Sequence, residues 1–213
     1  MRQDYTHIAL IADRSGSMSA SQGEAQAAIN TFIKDQANQP GFCTLSLAQF
    51  DNEYELVHDF AVIQDVSEYH LEPRGMTALF DAVGLTIASV GSKLAQMSEP
   101  ERPALVTIVI CTDGAENASK EFSQQRIAAM IKEQRETYNW RFIFLGVDIE
   151  AEQVAASIEI PVASAVKVSR SKGAAAYQVT SQKIAAARSA VASGMPAAAA
   201  DIAYDADEKE NLS

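Results

Sequence analysis

Residues 7–17 have the sequence HIALIADRSGS, in which an apolar run ends in a loop of oxygen-bearing side chains. The apolar half, His7 to Ala12, has the length and composition of a buried β-strand. A carboxylate and two hydroxyls follow at spacings of two, and Gly16 permits the tight turn that brings the two serines together. Hard oxygen ligands of this kind suit Mg²⁺ or Mn²⁺. The stretch therefore predicts a strand whose carboxyl end carries part of a metal site.

Strand-like and helical segments alternate along the rest of the chain, which is typical of an α/β domain with a mainly parallel sheet. Further strands are predicted over residues 43–50, 55–63, 104–111, 140–147 and 162–168. Helices are predicted over residues 20–37, 77–97, 119–136, 150–157 and 173–192. The gap at residues 51–54 is too short for a crossover helix, so the second and third strands form an antiparallel hairpin.

These segments predict a doubly wound, Rossmann-like α/β fold. Its six mostly parallel strands have the order 3-2-1-4-5-6, with antiparallel strand 3 at an edge and helices on both faces. In such sheets ligands bind beyond the carboxyl ends of the strands, where the order reverses between strands one and four. Asp13 and Asp113 lie at those two strand ends, Asp113 within the sequence CTDG. A third loop, with Gly75 and Thr77, precedes the second large helix and brings another hydroxyl.

The composition predicts one globular domain followed by an acidic tail. The chain has 213 residues, of which 47% are hydrophobic and 21% charged. Its net charge of -11 argues against nucleic acid and anionic membrane surfaces as partners. We expect a domain over residues 1–193 and a disordered tail over residues 194–213.

Three features together predict a cytoplasmic protein. The first residues lack the pattern of a secretory signal, and no apolar run approaches the ~20 residues needed to span a bilayer. Two cysteines do not make a disulfide framework in a chain of this size. Cys43 and Cys111 fall in strands that strand one separates, so we expect two buried free thiols.

The combination of Asp13-x-Ser15-x-Ser17, Thr77 and Asp113 resembles the metal-ion-dependent adhesion site (MIDAS) of von Willebrand factor type A domains. The resemblance covers roughly residues 5–192, in the order of elements as well as in the motif. It points to the intracellular bacterial and phage members of the family.

The resemblance implies a set of metal ligands and a mode of binding. Ser15 and Ser17 would bind the metal directly, and Asp13, Thr77 and Asp113 directly or through water. Mg²⁺ prefers about six oxygens and readily keeps waters, so a position stays open for a carboxylate from a partner. The expected function is a metal-dependent protein-binding module that engages an acidic residue of another protein.

Each of these residues also has an ordinary structural explanation. Ser15 and Ser17 suit a helix N-cap, and Thr77 suits a cap of its own helix. Asp113 suits a turn before Gly114. Asp81 is expected to be a solvated first-turn carboxylate, and Arg14 an exposed residue beside the site.

An enzyme is the rival hypothesis from another class. A Mg²⁺-dependent hydrolase or phosphatase would use the same carboxylates, with Arg14 holding a phosphate. However, a haloacid-dehalogenase-type phosphatase would have an aspartate where Ser15 stands, and the chain has no nucleotide-binding motif. His7 lies about 20 Å from Asp13 along its strand, at ~3.3 Å per residue, and His58 falls in the hairpin. We therefore expect a non-enzymatic protein.

Two further hypotheses concern the wider role of the site. An accessory subunit of an ATPase, phage or stress-response assembly would be one form of the binding function. In addition, a carboxylate of the tail (Asp205, Asp207 or Glu208) would be able to occupy the metal site and inhibit it.

Overall fold

A single six-stranded sheet runs through the protein. The computed structural model describes residues 1–200 and 202–213; Asp201, an acidic residue of the predicted tail, lies outside them. The strands are β1 (Arg2–Asp13), β2 (Phe42–Phe50), β3 (Tyr54–Val62), β4 (Pro103–Thr112), β5 (Arg141–Val147) and β6 (Ala165–Val168). Their order is β3-β2-β1-β4-β5-β6, and all neighbours are parallel except β2 and β3. The predicted doubly wound fold is confirmed.

The central strand β1 is paired in parallel on both sides. Asp13 lies opposite Phe50 of β2, and Ala12 lies opposite Cys111 of β4. Both strands are covered on both faces: β1 is buried from Tyr5 onward, and β4 along its whole length. A parallel strand in this position has no solvated face, which is why its sequence is continuously apolar.

Helices cover both faces of the sheet. They are α1 (Gln22–Ala37), α2 (Leu79–Gln96), α3 (Gln124–Tyr138), α4 (Ala151–Ser157), α5 (Gly173–Ala192) and α6 (Ala206–Leu212). Successive side chains of a strand point to opposite faces. Accordingly, Ile8 and Leu10 pack with α1 and α5, whereas Ala9 and Ile11 pack with α2, α3 and α4. Within the described ranges, no helix has both the length and the apolar character that a bilayer crossing requires.

Residues 202–213 are folded against the rest of the protein, so the expectation of a disordered tail is wrong for them. Tyr204 and Leu212 are buried in the same core cluster as α5. The Tyr204 hydroxyl lies 2.6 Å from that of Thr180, and the N–H of Ser169 donates to the carbonyl of Leu212 at 2.8 Å. Composition misled the prediction because a few well-spaced apolar residues among many small and acidic ones suffice to dock the segment.

Two of the tail carboxylates have structural partners of their own. Asp205 and Glu208 form a capping box at the start of α6, each accepting a backbone N–H of the other at 2.8 Å. Glu208 also pairs with Lys183 at 2.7 Å. These contacts stabilise α6, so they speak against the hypothesis that either residue occupies the metal site.

Shortening a buried side chain in this segment tests whether the segment contributes to stability. We expect Leu212→Ala to lower the free energy of unfolding by about 2–5 kcal/mol, because it removes a buried side chain and leaves a cavity. The matched control Glu210→Ala, at an exposed position of the same helix, should stay within ~0.5 kcal/mol of the wild type. Urea unfolding followed by circular dichroism measures both, and equal stabilities would mean that the tail is not docked in solution.

His7 is a buried neutral residue of the sheet. Its ring stacks on Phe60 with centroids 3.7 Å apart, and Nδ1 lies 2.9 Å from the hydroxyl of Thr44. Nε2 has no hydrogen-bond partner in the described structure. Burial, together with the charge of Lys93, lowers its pKa to about 3. His7 is therefore a packing residue, as its distance from Asp13 along the strand already suggested.

The low pKa of His7 makes stability depend on pH. Between about pH 6.5 and pH 3 the unfolded chain binds a proton that the folded chain does not, so stability falls as the pH falls through this window. From pH 7 to pH 4.5 we expect the wild type to lose about 2–3 kcal/mol more than His7→Phe, in which the linkage is absent. Denaturant titrations at both pH values measure the difference, and parallel losses in the two proteins would contradict it.

Candidate metal centre

Asp13 is held at the carboxyl end of β1 through both of its carboxylate oxygens. Oδ1 accepts from the N–H of Ser15 at 2.6 Å, and Oδ2 accepts from the hydroxyl of Thr112 at 2.5 Å. The second bond joins β1 to β4, the two strands between which the sheet order reverses. Burial raises the pKa of Asp13; the bonds from Thr112 and Ser15 oppose that rise, and the charge of Asp113 adds to it.

The two serines of the loop connect Asp13 to Asp113. The hydroxyls of Ser15 and Ser17 lie 3.0 Å apart, and the Ser17 hydroxyl donates to Oδ1 of Asp113 at 2.5 Å. Four of the predicted ligands thus form one chain of hydrogen bonds, although Asp113 is 96 residues away from Ser17 in the sequence.

Thr77, in the loop that precedes α2, lies beside the loop that carries Asp113. A Cβ at position 114 would lie 2.7 Å from its Oγ1, so this close approach requires the glycine that follows Asp113. Two reciprocal bonds hold Thr77 in place: its N–H donates to Oδ1 of Asn117 at 2.9 Å, and its carbonyl accepts from the N–H of Asn117 at 3.0 Å. All five predicted residues are therefore gathered at the switch point of the sheet.

Helix capping does not account for these hydroxyls. Ser15 is the N-cap residue of a short 3-10 helix (Gly16–Ser21), but its side chain makes no capping hydrogen bond. The N-cap residue of α2 is Ala78, so Thr77 lies one residue before the capping position. The first N–H groups of α2 use other partners: Phe80 donates to Glu116 at 2.9 Å, and Asp81 donates to the hydroxyl of Ser119 at 3.0 Å. Helix capping therefore does not explain why Ser15 and Thr77 occupy these positions.

The donor set fits a hard divalent cation. It offers two carboxylates and three hydroxyls, and the two negative charges match the charge of Mg²⁺ or Mn²⁺. Four of the five side chains are buried, whereas Ser17 is exposed and marks the side open to solvent. In the part of the chain that the structure describes, no three His, Cys, Asp or Glu residues gather in a metal-binding group. A metal here would therefore depend on the hydroxyl oxygens.

The acidic loop after β4 is held by Asp81, which is not the solvated carboxylate that we expected. Its oxygens accept the N–H groups of Lys120, Glu121 and Phe122 at 2.7, 2.9 and 2.8 Å. These N–H groups are consequently engaged outside any helix, and α3 begins at Gln124, five residues later than predicted. Asp81 thereby fixes the segment that follows Asp113.

Arg14 is buried, so the expectation of an exposed arginine beside the site is wrong. Its Nε donates to Oδ2 of Asp51 at 3.1 Å, and its Nη1 donates to Glu55 at 2.7 Å. Asp51 lies in the turn between β2 and β3, and its side chain is 1% exposed. Because a buried charge is costly unless it is paired, this contact fixes the ligand loop against the hairpin.

The same Asp51 also binds the loop that carries Thr77. Its Oδ2 accepts from Nε of Arg74 at 2.6 Å, and its carbonyl accepts from the N–H of Ala78 at 2.8 Å. The N–H of Arg74 in turn donates to the carbonyl of Arg14 at 2.7 Å. One buried carboxylate thus ties together the two loops that present Ser15 and Thr77.

Similarity to solved structures supports this architecture. A structure described as von Willebrand factor type A from Catenulispora acidiphila is 12% identical, covers 85% of this chain and 42% of its own, and has a TM-score of 0.56. The vWF domain of the type V pili tip protein Mfa5 from Porphyromonas gingivalis is 13% identical, with coverages of 84% and 94% and a TM-score of 0.60. This chain has the fold of a von Willebrand factor type A domain. At these identities the likeness shows the fold alone.

A third similar structure has a metal in its site. Proximal thread matrix protein 1 from the mussel byssus, with a zinc-occupied MIDAS motif, is 14% identical and has a TM-score of 0.57. The match covers 85% of this chain and 46% of that protein, so the chain spans less than half of its length. No protein-family model matches the sequence, and no curated protein matches it either.

Sequence reasoning missed one charged residue of the candidate metal centre. Arg170 follows β6, and its Nη2 lies 3.4 Å from Oδ2 of Asp113. Its Nη1 donates to the carbonyl of Ser17 at 3.4 Å, and its Nε donates to Asp148 at 3.1 Å. The available signal was its place just after the last predicted strand, at the same edge of the sheet as Asp13. Nothing in the sequence indicated that its side chain reaches back across β5 to β4.

The contribution of Asp51 to stability can be tested against that of Glu53, because both carboxylates pair with Arg74. Asp51→Asn should lower the free energy of unfolding by about 3 kcal/mol, because it leaves buried Arg14 with only the exposed Glu55. Glu53→Gln removes the other carboxylate on Arg74, an exposed one, and should change stability by less than ~1 kcal/mol. Chemical denaturation measures both, and equal effects would show that Asp51 does not hold the loops.

Proposed function

We propose that this protein is a metal-dependent protein-binding module. Mg²⁺ or Mn²⁺ would be held by Asp13, Ser15, Ser17, Thr77 and Asp113. The observation that carries the proposal is the convergence of two carboxylates and three hydroxyls at the sheet's switch point. The Ser15 side chain makes no capping bond there, and Thr77 lies outside the capping position of α2. The zinc-occupied MIDAS of the structurally similar mussel protein supports a divalent cation at this place in the fold.

The carboxylates and the hydroxyls would contribute differently to metal binding. The carboxylates of Asp13 and Asp113 offset the charge of the cation, while the neutral hydroxyls add ligands without adding charge. When bound, the metal supplies an electrophilic position that accepts a carboxylate oxygen. Ser17 lies on the exposed side, so an acidic side chain of a partner would approach from there.

The side chains around the site favour binding over catalysis. The rival hydrolase hypothesis assigned a phosphate to Arg14, but that guanidinium is buried and donates to Asp51 and Glu55. His7, buried and stacked on Phe60 in the sheet, has a pKa of about 3, so it is too weak a proton acceptor, and lies too far from the ligands, to serve as a general base. We therefore propose a non-enzymatic role.

The proposal also covers the assembly in which the protein acts and its location in the cell. A module of this kind would act as an accessory subunit of a larger assembly, such as an ATPase, phage or stress-response complex. We also propose a cytoplasmic location, which the two buried and unpaired cysteines, Cys43 and Cys111, favour.

Metal binding by the whole chain tests the proposal directly. We expect one Mn²⁺ per chain by isothermal titration and electron paramagnetic resonance. Asp113→Asn should weaken binding at least ~10-fold, because it removes one of the two charges that offset the cation. Asp59→Asn, in β3 and paired with Lys93, is the control and should bind as the wild type does.

Two results would contradict the proposal. Absence of Mn²⁺ binding, or equal binding by Asp113→Asn, would remove the metal site. Hydrolysis of p-nitrophenyl phosphate with Mg²⁺ or Mn²⁺, abolished by Asp113→Asn, would instead favour the hydrolase. Circular dichroism of each variant checks that it is folded.

A further inference from the structure

Arg170 places a guanidinium at the opening of the candidate metal centre. The side chain of Asp113 is fully buried, whereas that of Arg170 is 32% exposed. Its Nη2 lies 3.4 Å from Asp113 and its Nη1 lies 3.4 Å from the carbonyl of Ser17. The group therefore contacts two of the five proposed ligand residues while it also faces solvent.

Asp148, at the end of β5, holds Arg170 in this place. One oxygen accepts from the backbone N–H of Arg170 at 3.2 Å, and the other accepts from its Nε at 3.1 Å. Asp148 itself has a φ of +54°, a left-handed conformation that aspartate tolerates better than most residues. Its N–H donates to the carbonyl of Val168 at 2.9 Å. A single carboxylate thus fixes both the backbone and the head of the arginine.

The guanidinium keeps donors for another molecule. Arginine has five N–H groups, and three of those of Arg170 donate to Asp148, Ser17 and Asp113. One N–H on each Nη remains. A forked pair of donors matches the two oxygens of a carboxylate, and bonds of this kind are charge-assisted.

The local charges allow a cation and this arginine to coexist. Asp13, Asp113 and Asp148 carry three negative charges, which a divalent ion and one guanidinium together balance. The arginine therefore adds directed donors without adding uncompensated positive charge. An incoming carboxylate would meet both groups on the side where Ser17 is exposed.

We propose that Arg170 is a specificity-determining residue, which donates to the same partner carboxylate that the metal engages. This inference rests on the proposed metal-dependent function and identifies the ligand chemistry of that site. A carboxylate only accepts hydrogen bonds, whereas the amide of Asn or Gln also presents N–H donors that oppose the guanidinium. The site would thus select Asp or Glu side chains over their neutral counterparts.

The test compares two small probes of nearly equal shape on the full chain loaded with Mn²⁺. Acetate and acetamide are titrated, and the paramagnetic relaxation of their methyl protons measures binding near the ion. The wild type should bind acetate in preference to acetamide. Arg170→Gln should weaken acetate binding roughly 10–100-fold, as expected for the loss of a charge-assisted hydrogen bond, and leave acetamide unchanged. Arg170→Lys, which keeps the charge but not the fork, should be intermediate.

Two controls separate the arginine's role from general charge and from metal binding. Lys172→Gln removes an exposed positive charge two residues away and should behave as the wild type does. The affinity for Mn²⁺, measured independently by electron paramagnetic resonance, should be no weaker in Arg170→Gln than in the wild type.

Each contrary outcome has a distinct meaning. An unchanged preference for acetate in Arg170→Gln would overturn the inference, and so would a loss of Mn²⁺ affinity, which would make Arg170 a structural part of the metal site. Much tighter binding of inorganic phosphate than of acetate would overturn carboxylate selectivity. If the wild type binds no Mn²⁺, the proposed function itself fails, and this inference fails with it.

Discussion

The parallel pairing of β1 with β4 is the constraint on which the site depends. It places Ala12 opposite Cys111, so that the next residues of both strands leave the sheet side by side. The hydrogen bond from Thr112 to Asp13 closes this end of the pair. Since β2 continues the sheet on the other side of β1, the loops after β1 and β4 diverge into a crevice. Asp13, Ser15 and Ser17 lie on one side of that crevice and Asp113 on the other, so these four ligand residues converge there, and the loop before α2 adds Thr77.

Convergence alone would not leave the hydroxyls free to bind a metal, because serine and threonine side chains at the start of a helix usually accept a hydrogen bond from its first backbone N–H groups. Here the start of α2 is satisfied from the loop after β4, through Glu116 and Ser119, while Asn117 holds the backbone of Thr77. That loop is itself ordered by Asp81, in the first turn of the same helix. The loop thus satisfies the start of the helix while the helix orders the loop, and the hydroxyl of Thr77 stays beside Gly114, the residue that follows Asp113.

Buried charge gives the site its rigidity. Asp51 pairs with Arg14 and Arg74, and breaking such a pair leaves an uncompensated ion in a poorly solvated place. Asp148 acts similarly on Arg170 at the other side of the crevice, though nearer to solvent. Arg14 and Arg170 thus differ in what they can do: buried Arg14 donates to Asp51 and Glu55, whereas Arg170 keeps donors at the opening of the site.

The sequence by itself determined the sheet order, the hairpin and the five candidate ligands, because strand periodicity, a short gap and residue types at strand ends are local signals. It placed the start of α3 too early and took the tail for disordered, since both depend on distant partners: Asp81 for one, Thr180 and the β6 region for the other. Only the tertiary structure decided that Arg14 is buried and that Arg170 reaches Asp113. The physical reason is that the position of a long charged side chain follows from its counter-charge, and Asp51 and Asp148 are distant in sequence from the residues that they hold.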